Sequence, residues 1–411
     1  MQPKLGTFCL FAFVCSALSE EEFSVGNSTA QSEYDRFLRC LEDSGKRCLL
    51  LSDQHSSGIY VYELDRNQNE KDPNQNQTNE SNSPIWSFDF TSSRQISDED
   101  RASFKAISDS KLIYKDYLLF CTSGGAIGLI EIKTKRLLKY WHIDGNLHSL
   151  DITPDGAIFA VASEQNFIVA LPTIASSKGL GELSAIRKYS FPYGHAVVFD
   201  YQHNQVLWVG GNRTLSSFKY NYDNENPQLK LYRKFYVDDD QVHDLTPIPE
   251  SHLIWLSTWN YIYLFNAKTG NVFRLYDIRN VKSISTELSA DLGRTLLTVE
   301  RHIDPINVQN IYEQGGLTGW KEKQFENLSV MLRKLKDRNL VADHDPVDLI
   351  DQTSYVQSPE DESIWWTDEV LSLKDHRPIF KKQGAAFYKG RYLQYNSFSY
   401  ELFFPKKLDI Y

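Results

Sequence analysis

The sequence predicts an all-β fold, a six-bladed β-propeller, on three observations. Short apolar runs separated by Gly, Asn, Asp and Pro turns fill most of the 411 residues, with 23 Tyr and 23 Phe against 2 Met. Three segments, HSLDITPDGAIFAVASEQNFIVALP from His148, HAVVFDYQHNQVLWVGGNRTLSSFKY from His195 and HDLTPIPESHLIWLSTWNYIYLFNAKTG from His243, each read as strand, turn, strand, tight turn, strand. Their starts lie 47 and 48 residues apart. A period in this range, with four strands per unit, marks propeller blades.

In chain order, Lys4 precedes an apolar run from Leu5 to Val14, closed by Ser16, Ala17 and Ser19 before three glutamates. That pattern predicts a secretory signal peptide over residues 1–19 and a secreted, extracellular protein. Residues 20–47 form an N-terminal extension, and residues 48–411 are read as one propeller domain. Outside the leader remain Cys40, Cys48 and Cys121. Cys40 and Cys48 flank a short loop that closes at modest entropic cost and are the favoured disulfide, whereas Cys121 in an apolar run suits a buried thiol. Sequons at Asn27, Asn76, Asn79, Asn212 and Asn327 mark glycosylation sites. The polar stretch 67–83 reads as a disordered loop.

Stepping back one period from His148 reaches FKAISD with Lys105, and stepping forward from His243 reaches Lys282 in KSISTELSADLGRTLLTVE. CLLLSDQHSSGIYVYELD at the start lacks an inner strand, and FYKGRYLQY at 387–395 lacks a blade. Pairing them closes one blade and removes free sheet edges, which gives six blades. Seven is the alternative, because residues 301–383 hold more chain than one blade needs. Helical periodicity is nearly absent before residue 303. A helical insertion is expected over 303–350, where Phe325, Leu328, Leu332 and Leu335 recur at helical spacing, packed outside the last blade or forming a lid.

The inner strand of every blade faces the axis, so blade starts converge there. This register gathers Lys105, His148, His195, His243, Lys282 and the group Tyr388, Lys389 and Arg391, with Ser149, Asp244 and Ser283 next to them. Three imidazoles suit a divalent metal such as zinc or manganese, or general acid–base work; alternatively each caps its inner strand. The cations Lys105, Lys282, Lys389 and Arg391 repel one another unless an anion, a fixed carboxylate or solvent compensates. A basic, histidine-lined channel fits a uronate-type glycan, and there a histidine or Tyr388 can serve β-elimination. The expected function is therefore action on, or binding of, an anionic glycan, with a polysaccharide lyase the enzyme class in view; the alternative is a non-catalytic extracellular binding or scaffold propeller. A calcium propeller is disfavoured, because calcium takes oxygen ligands.

The net charge of −10 argues against a nucleic-acid surface. No segment after the leader is apolar enough to span a membrane, and a monomer is expected. Ser289–Leu296, SADLGRTL, is an imperfect copy of a sialidase-type hairpin and reads as a β-turn, residues 123–125 are a connecting turn, and Trp365 and Trp366 are aromatic candidates for core or sugar contact.

On LLLSDQHSSGIYVYELD, GNLHSLDITPDGAIFAVAS, Gly194-His195, HDLTPI, LIWLST, Lys282-Ser283 and Phe387, Tyr388, Lys389 and Arg391, the chain resembles a family of uncharacterised secreted β-propeller proteins, a domain of unknown function common in bacteria. That resemblance implies the fold and brings no activity. A weaker architectural likeness is to propeller-shaped polysaccharide lyases, some of which gather histidines at a metal and place basic residues near a uronate. Architecture does not fix function.

Overall fold

The computed structural model describes residues 27–43, 46–64, 83–113, 116–172, 186–200, 205–248, 252–286, 353–357, 366–372 and 378–394. The leader, the loop 67–82, the hairpin Ser289–Leu296, the insertion 303–350, Trp365 and the sequons at Asn76, Asn79 and Asn327 lie outside the described residues.

The arrangement is a β-propeller of four-stranded antiparallel sheets. Five sheets are built from consecutive strands: β4 (Ile107–Ile113) to β7 (Arg136–His142); β8 (Leu147–Ile152), β9 (Ile158–Ala162), β10 (Phe167–Leu171) and β11 (Arg187–Ser190); β12 (Ala196–Asp200), β13 (Val206–Gly211), β14 (Thr214–Tyr220) and β15 (Leu229–Tyr236); β16 (Asp244–Pro247) to β19 (Val272–Tyr276); and β20 (Val281–Thr286) to β23 (Pro378–Lys381). The remaining sheet joins β1 (Arg47–Asp53), β2 (Gly58–Leu64) and β3 (Trp86–Asp89) to β24 (Phe387–Tyr392) in the order β24-β1-β2-β3. β1 pairs with β24 through Leu49↔Tyr392 and Ser52↔Lys389, so strands from opposite ends of the sequence share one sheet. No further sheet occurs among the described residues.

Burial falls from the axis outward. β8, β9, β10, β12 and β13 are buried along their whole length, because each inner or middle strand is covered on both faces by neighbouring sheets. The outermost strands β11 and β15 are mostly exposed. Between sheets the core is aliphatic and aromatic. Trp208, for example, meets Phe265 of the next sheet edge-on at 4.9 Å between centroids, a geometry worth about 1 kcal/mol beyond burial. Trp86 and Trp255 are fully buried and donate their indole N–H groups to Ile132 O (3.0 Å) and Thr286 Oγ1 (2.7 Å), so each fills a core without leaving a polar atom bare. Gly125 turns between strands at φ 96°, and a Cβ there would sit 2.2 Å from Ile143 O.

One part of the N-terminal extension departs from expectation. It contains an α-helix, α1 (Asn27–Glu42), although no helical periodicity was expected so early. Tyr34, Phe37 and Leu41 recur at helical spacing and pack on the first interface, with Phe37 edge-on to Trp86 at 5.9 Å. Tyr34 also donates to Asp116 (2.6 Å). The sulfurs of Cys40 and Cys48 lie at disulfide distance, 1.91 Å, tying α1 to β1, while Cys121 is buried and free. Among the described residues no helix is long and apolar enough to cross a membrane.

Candidate functional site at the propeller axis

The inner strands are β24, β4, β8, β12, β16 and β20, and several carry the same irregularity. A register shift falls between Ile107 and Asp109 in β4, Leu147 and Ser149 in β8, and Val281 and Ser283 in β20, while β24 skips one residue between Lys389 and Phe387. A bulge of this kind re-aims one side chain. The skipped residues are Ser108, His148, Lys282 and Tyr388. His195 and His243 complete the set directly before β12 and β16, where their backbone N–H groups donate to Gly210 O (3.0 Å) and Ser257 O (2.8 Å).

Lys105 is not in this layer. It is exposed at the end of a single 3-10 turn (Arg101–Phe104), three residues before the true equivalent, Ser108. The sequence period is elastic because the turns differ in length, and that slack produced the misplacement. The better marker was the dipeptide: Ser108-Asp109, His148-Ser149, His243-Asp244 and Lys282-Ser283 share a polar residue at the blade start followed by Asp or Ser.

The three histidines do come together. The His148 and His195 rings are 4.4 Å apart and tilted, and the His195 and His243 rings are 4.9 Å apart edge-on. His148 Nδ1 meets Tyr388 Oη at 2.5 Å, and His195 Nδ1–H donates to Tyr193 O at 2.9 Å. Lys282 is fully buried, its Nζ 5.1 Å from the centre of the Trp259 ring. His148 Nε2 and both ring nitrogens of His243 have no hydrogen-bond partner among the described residues. Burial, reinforced by Lys282 and Lys389, holds all three histidines below their ordinary range, His195 at about 4. Burial alone pushes Lys282 down to about 7. At neutral pH the three rings are therefore uncharged. Among the described residues no group of three or more His, Cys, Asp or Glu is arranged to hold an ion.

Beneath the histidines lies an ion cluster that changes the electrostatic expectation. Lys389, 1% exposed, contacts Asp244 at 3.2 Å and Asp109 at 3.7 Å. Arg391 forks onto Asp244 through Nη1–Oδ2 (3.0 Å) and Nη2–Oδ1 (2.8 Å), and reaches Asp109 at 3.2 Å. Ser149 donates to Asp109 (2.7 Å) and Thr246 to Asp244 (2.9 Å). Burial by itself raises both aspartates, but Arg391 and Lys389 outweigh it and hold them below the usual carboxylate range. Burial lowers Arg391, yet Asp109 and Asp244 raise it above its ordinary value. Two cations face two anions, so this part of the expected basic channel is a locally neutral cluster. Among the alternatives the sequence left open, the compensating group is a fixed carboxylate.

The remaining sequence-predicted residues serve as stitching. Ser283 donates to Gly390 O (3.0 Å) and accepts from Gly390 N (2.9 Å), joining β20 to β24. A residue the sequence reading passed over, Lys111, donates to Val197 O (2.8 Å) and lies 3.6 Å from Asp151, lacing β4, β8 and β12 one layer deeper. Asn212 is exposed at the β13–β14 turn, Asn27 starts α1, and Trp366 is exposed near β22 (Glu369–Ser372).

Comparisons with known proteins give a family and no activity. No curated protein matches the chain. Among solved structures, the chain is similar to Sqt1 of Saccharomyces cerevisiae at 13% identity and a TM-score of 0.37, over 57% of this chain and 61% of that one, so it spans less than two thirds of that protein's length. Residues 67–294, more than half of the sequence, match the model of a Family of unknown function (DUF6528), and the chain belongs to that family.

Proposed function

We propose that the chain is a non-catalytic extracellular binding propeller of six blades, exported by its leader and glycosylated at exposed sequons, whose axial polar cluster is structural. The observation that supports this most directly is the pairing of Lys389 and Arg391 with Asp109 and Asp244. Lyase chemistry on a uronate needs basic groups with charge left for the substrate carboxylate, and these two direct theirs at fixed partners. Neutral, mutually packed histidines act in this reading as polar packing at the blade starts.

A second reading, a lyase acting on an anionic glycan with or without a divalent metal such as zinc or manganese, draws on one contact, the His148–Tyr388 pair at 2.5 Å, which resembles an acid–base couple. One experiment separates the two. Purified protein is incubated with uronate-rich oligosaccharides, with and without added zinc or manganese, and ultraviolet absorbance is followed for unsaturated products. The binding reading expects none, and accumulation of product that disappears in Tyr388→Phe sinks it. Appearance of the mature protein in culture medium, starting after residue 17 or 19, checks the export step.

A further inference from the structure

The acidic composition of the chain hides one strongly basic strip. β15 (LKLYRKFY) carries no acidic residue, is the outermost strand of its sheet, and is exposed over most of its length. Lys219 Nζ lies 4.4 Å from the centre of the Tyr232 ring and the Arg233 guanidinium 5.0 Å from it, while Lys234 Nζ lies 5.4 Å from the Tyr236 ring. Tyr232 is 46% and Tyr236 78% exposed. Lys230 pairs across the strands with Lys219, which puts a fourth cation on the same stretch. Among the described residues none of these cations is ion-paired to a carboxylate.

Lysines on a free edge normally deter strand addition, and the register shift beside Phe218 twists this edge further. That accounts for the cations and not for the tyrosines. Exposed aromatic rings on an edge increase the risk of association, so their presence calls for a different cause. An exposed phenol ring with an ammonium over one face, as Lys234 lies over Tyr236, complements a pyranose carrying a carboxylate on its other face. The apolar C–H face of the sugar lies on the ring, and the carboxylate reaches the cation. An acidic peptide would use the cations equally well but gain little from the rings, and adding as a strand is opposed by the bulge. The footprint is bounded: Asp223 and Glu225 stand in the hairpin before β15, and Asp238 and Asp240 follow it.

We infer that the outer strand β15, through Tyr232, Tyr236, Lys219, Lys230, Arg233 and Lys234, is a binding site for an acidic polysaccharide of the uronate type. This rests on the binding reading above, and moves the site from the axis to the rim.

The test is retention of the full-length secreted protein on immobilised polygalacturonate across a salt series, with a neutral glucan and polyglutamate as controls. The wild type is expected to bind polygalacturonate in preference to both. Tyr232→Ala with Tyr236→Ala, and separately Arg233→Glu with Lys234→Glu, should each weaken binding about tenfold, equivalent to about 1.4 kcal/mol, with an unchanged thermal midpoint. Lys234→Gln, the mildest change, should show a smaller loss in the same direction. Equal retention on polyglutamate with the tyrosine variants unaffected overturns the glycan assignment in favour of a charge-only surface. Loss of binding in His148→Ala but not in the strip variants overturns the location. Absence of retention by folded wild type at low salt overturns the strip while leaving the non-catalytic reading intact. Cleavage of the polymer by a protein whose strip variants bind weakly overturns the non-catalytic reading and supports the strip.

Discussion

The axis and the rim of this propeller use the same cations in opposite ways. At the axis, Lys389 and Arg391 lie beneath the histidines against Asp109 and Asp244, and their Coulomb energy offsets a desolvation cost of several kcal/mol per ion. At the rim, Lys234 and Arg233 rest on tyrosine rings in water. A buried charge has to be matched inside the fold, so it is no longer available to a ligand. An exposed one remains available and adds little to stability. On the proposed reading, the difference explains why a cation count at blade starts pointed to a ligand site where the charges are matched within the fold.

The largest effect that tests this contrast is acid unfolding. An unfolded histidine takes up its proton near pH 6.5, whereas His195 in the fold holds out to about 4 and His148 and His243 are held well below their ordinary range. Between those limits the unfolded chain binds more protons at these three groups, so their contribution to stability is full above pH 6.5 and is lost as pH drops. The slope for three such groups approaches about 4 kcal/mol per pH unit. Urea unfolding followed by tryptophan fluorescence from pH 8 to 4.5 should show this fall, and a flat profile would contradict neutral buried histidines.

Next in size is Asp244→Ala, which leaves Lys389 and Arg391 facing Asp109 alone. Breaking a buried pair costs about 3–5 kcal/mol, read as a lower urea midpoint, or as loss of soluble protein that the milder Asp244→Asn should partly restore. Cys40→Ser follows. The residues are separated by 8 positions, and the chain-entropy account gives about 2.5 kcal/mol for a loop of that size, with the loss expected under oxidising conditions only. Tyr236→Ala is the smallest, within about 0.5 kcal/mol of the wild type in thermal unfolding, since an exposed edge residue removes almost no core contact. A larger loss there would mean that the rim is structural after all.

How far these regions were legible depends on what fixes them. Sheet periodicity and the pairing of β1 with β24 follow from local patterning and the need to close an edge, and both are written in short stretches of sequence. The axial layer was legible at His148, His195, His243, Lys282 and Tyr388 and misplaced at Lys105, because turn lengths vary while the bulge does not. Asp109 was passed over for the same reason. That Asp109 and Asp244, 135 positions apart, meet the same two cations is a property of the closed ring, which no linear window contains. α1 was legible in Tyr34, Phe37 and Leu41 but lay within a stretch dominated by the leader.

Among the described residues β24 is the last strand to be made, and it carries Tyr388, Lys389 and Arg391 together. Until it docks, β1 presents an open edge, and Asp109 and Asp244 lack both of their cations. A chain interrupted before β24 would therefore have to bury two bare carboxylates or leave its centre wet, and neither yields a stable ring. β24 thus works as a check on closure, making proper folding of the ring conditional on synthesis having passed residues 387–392.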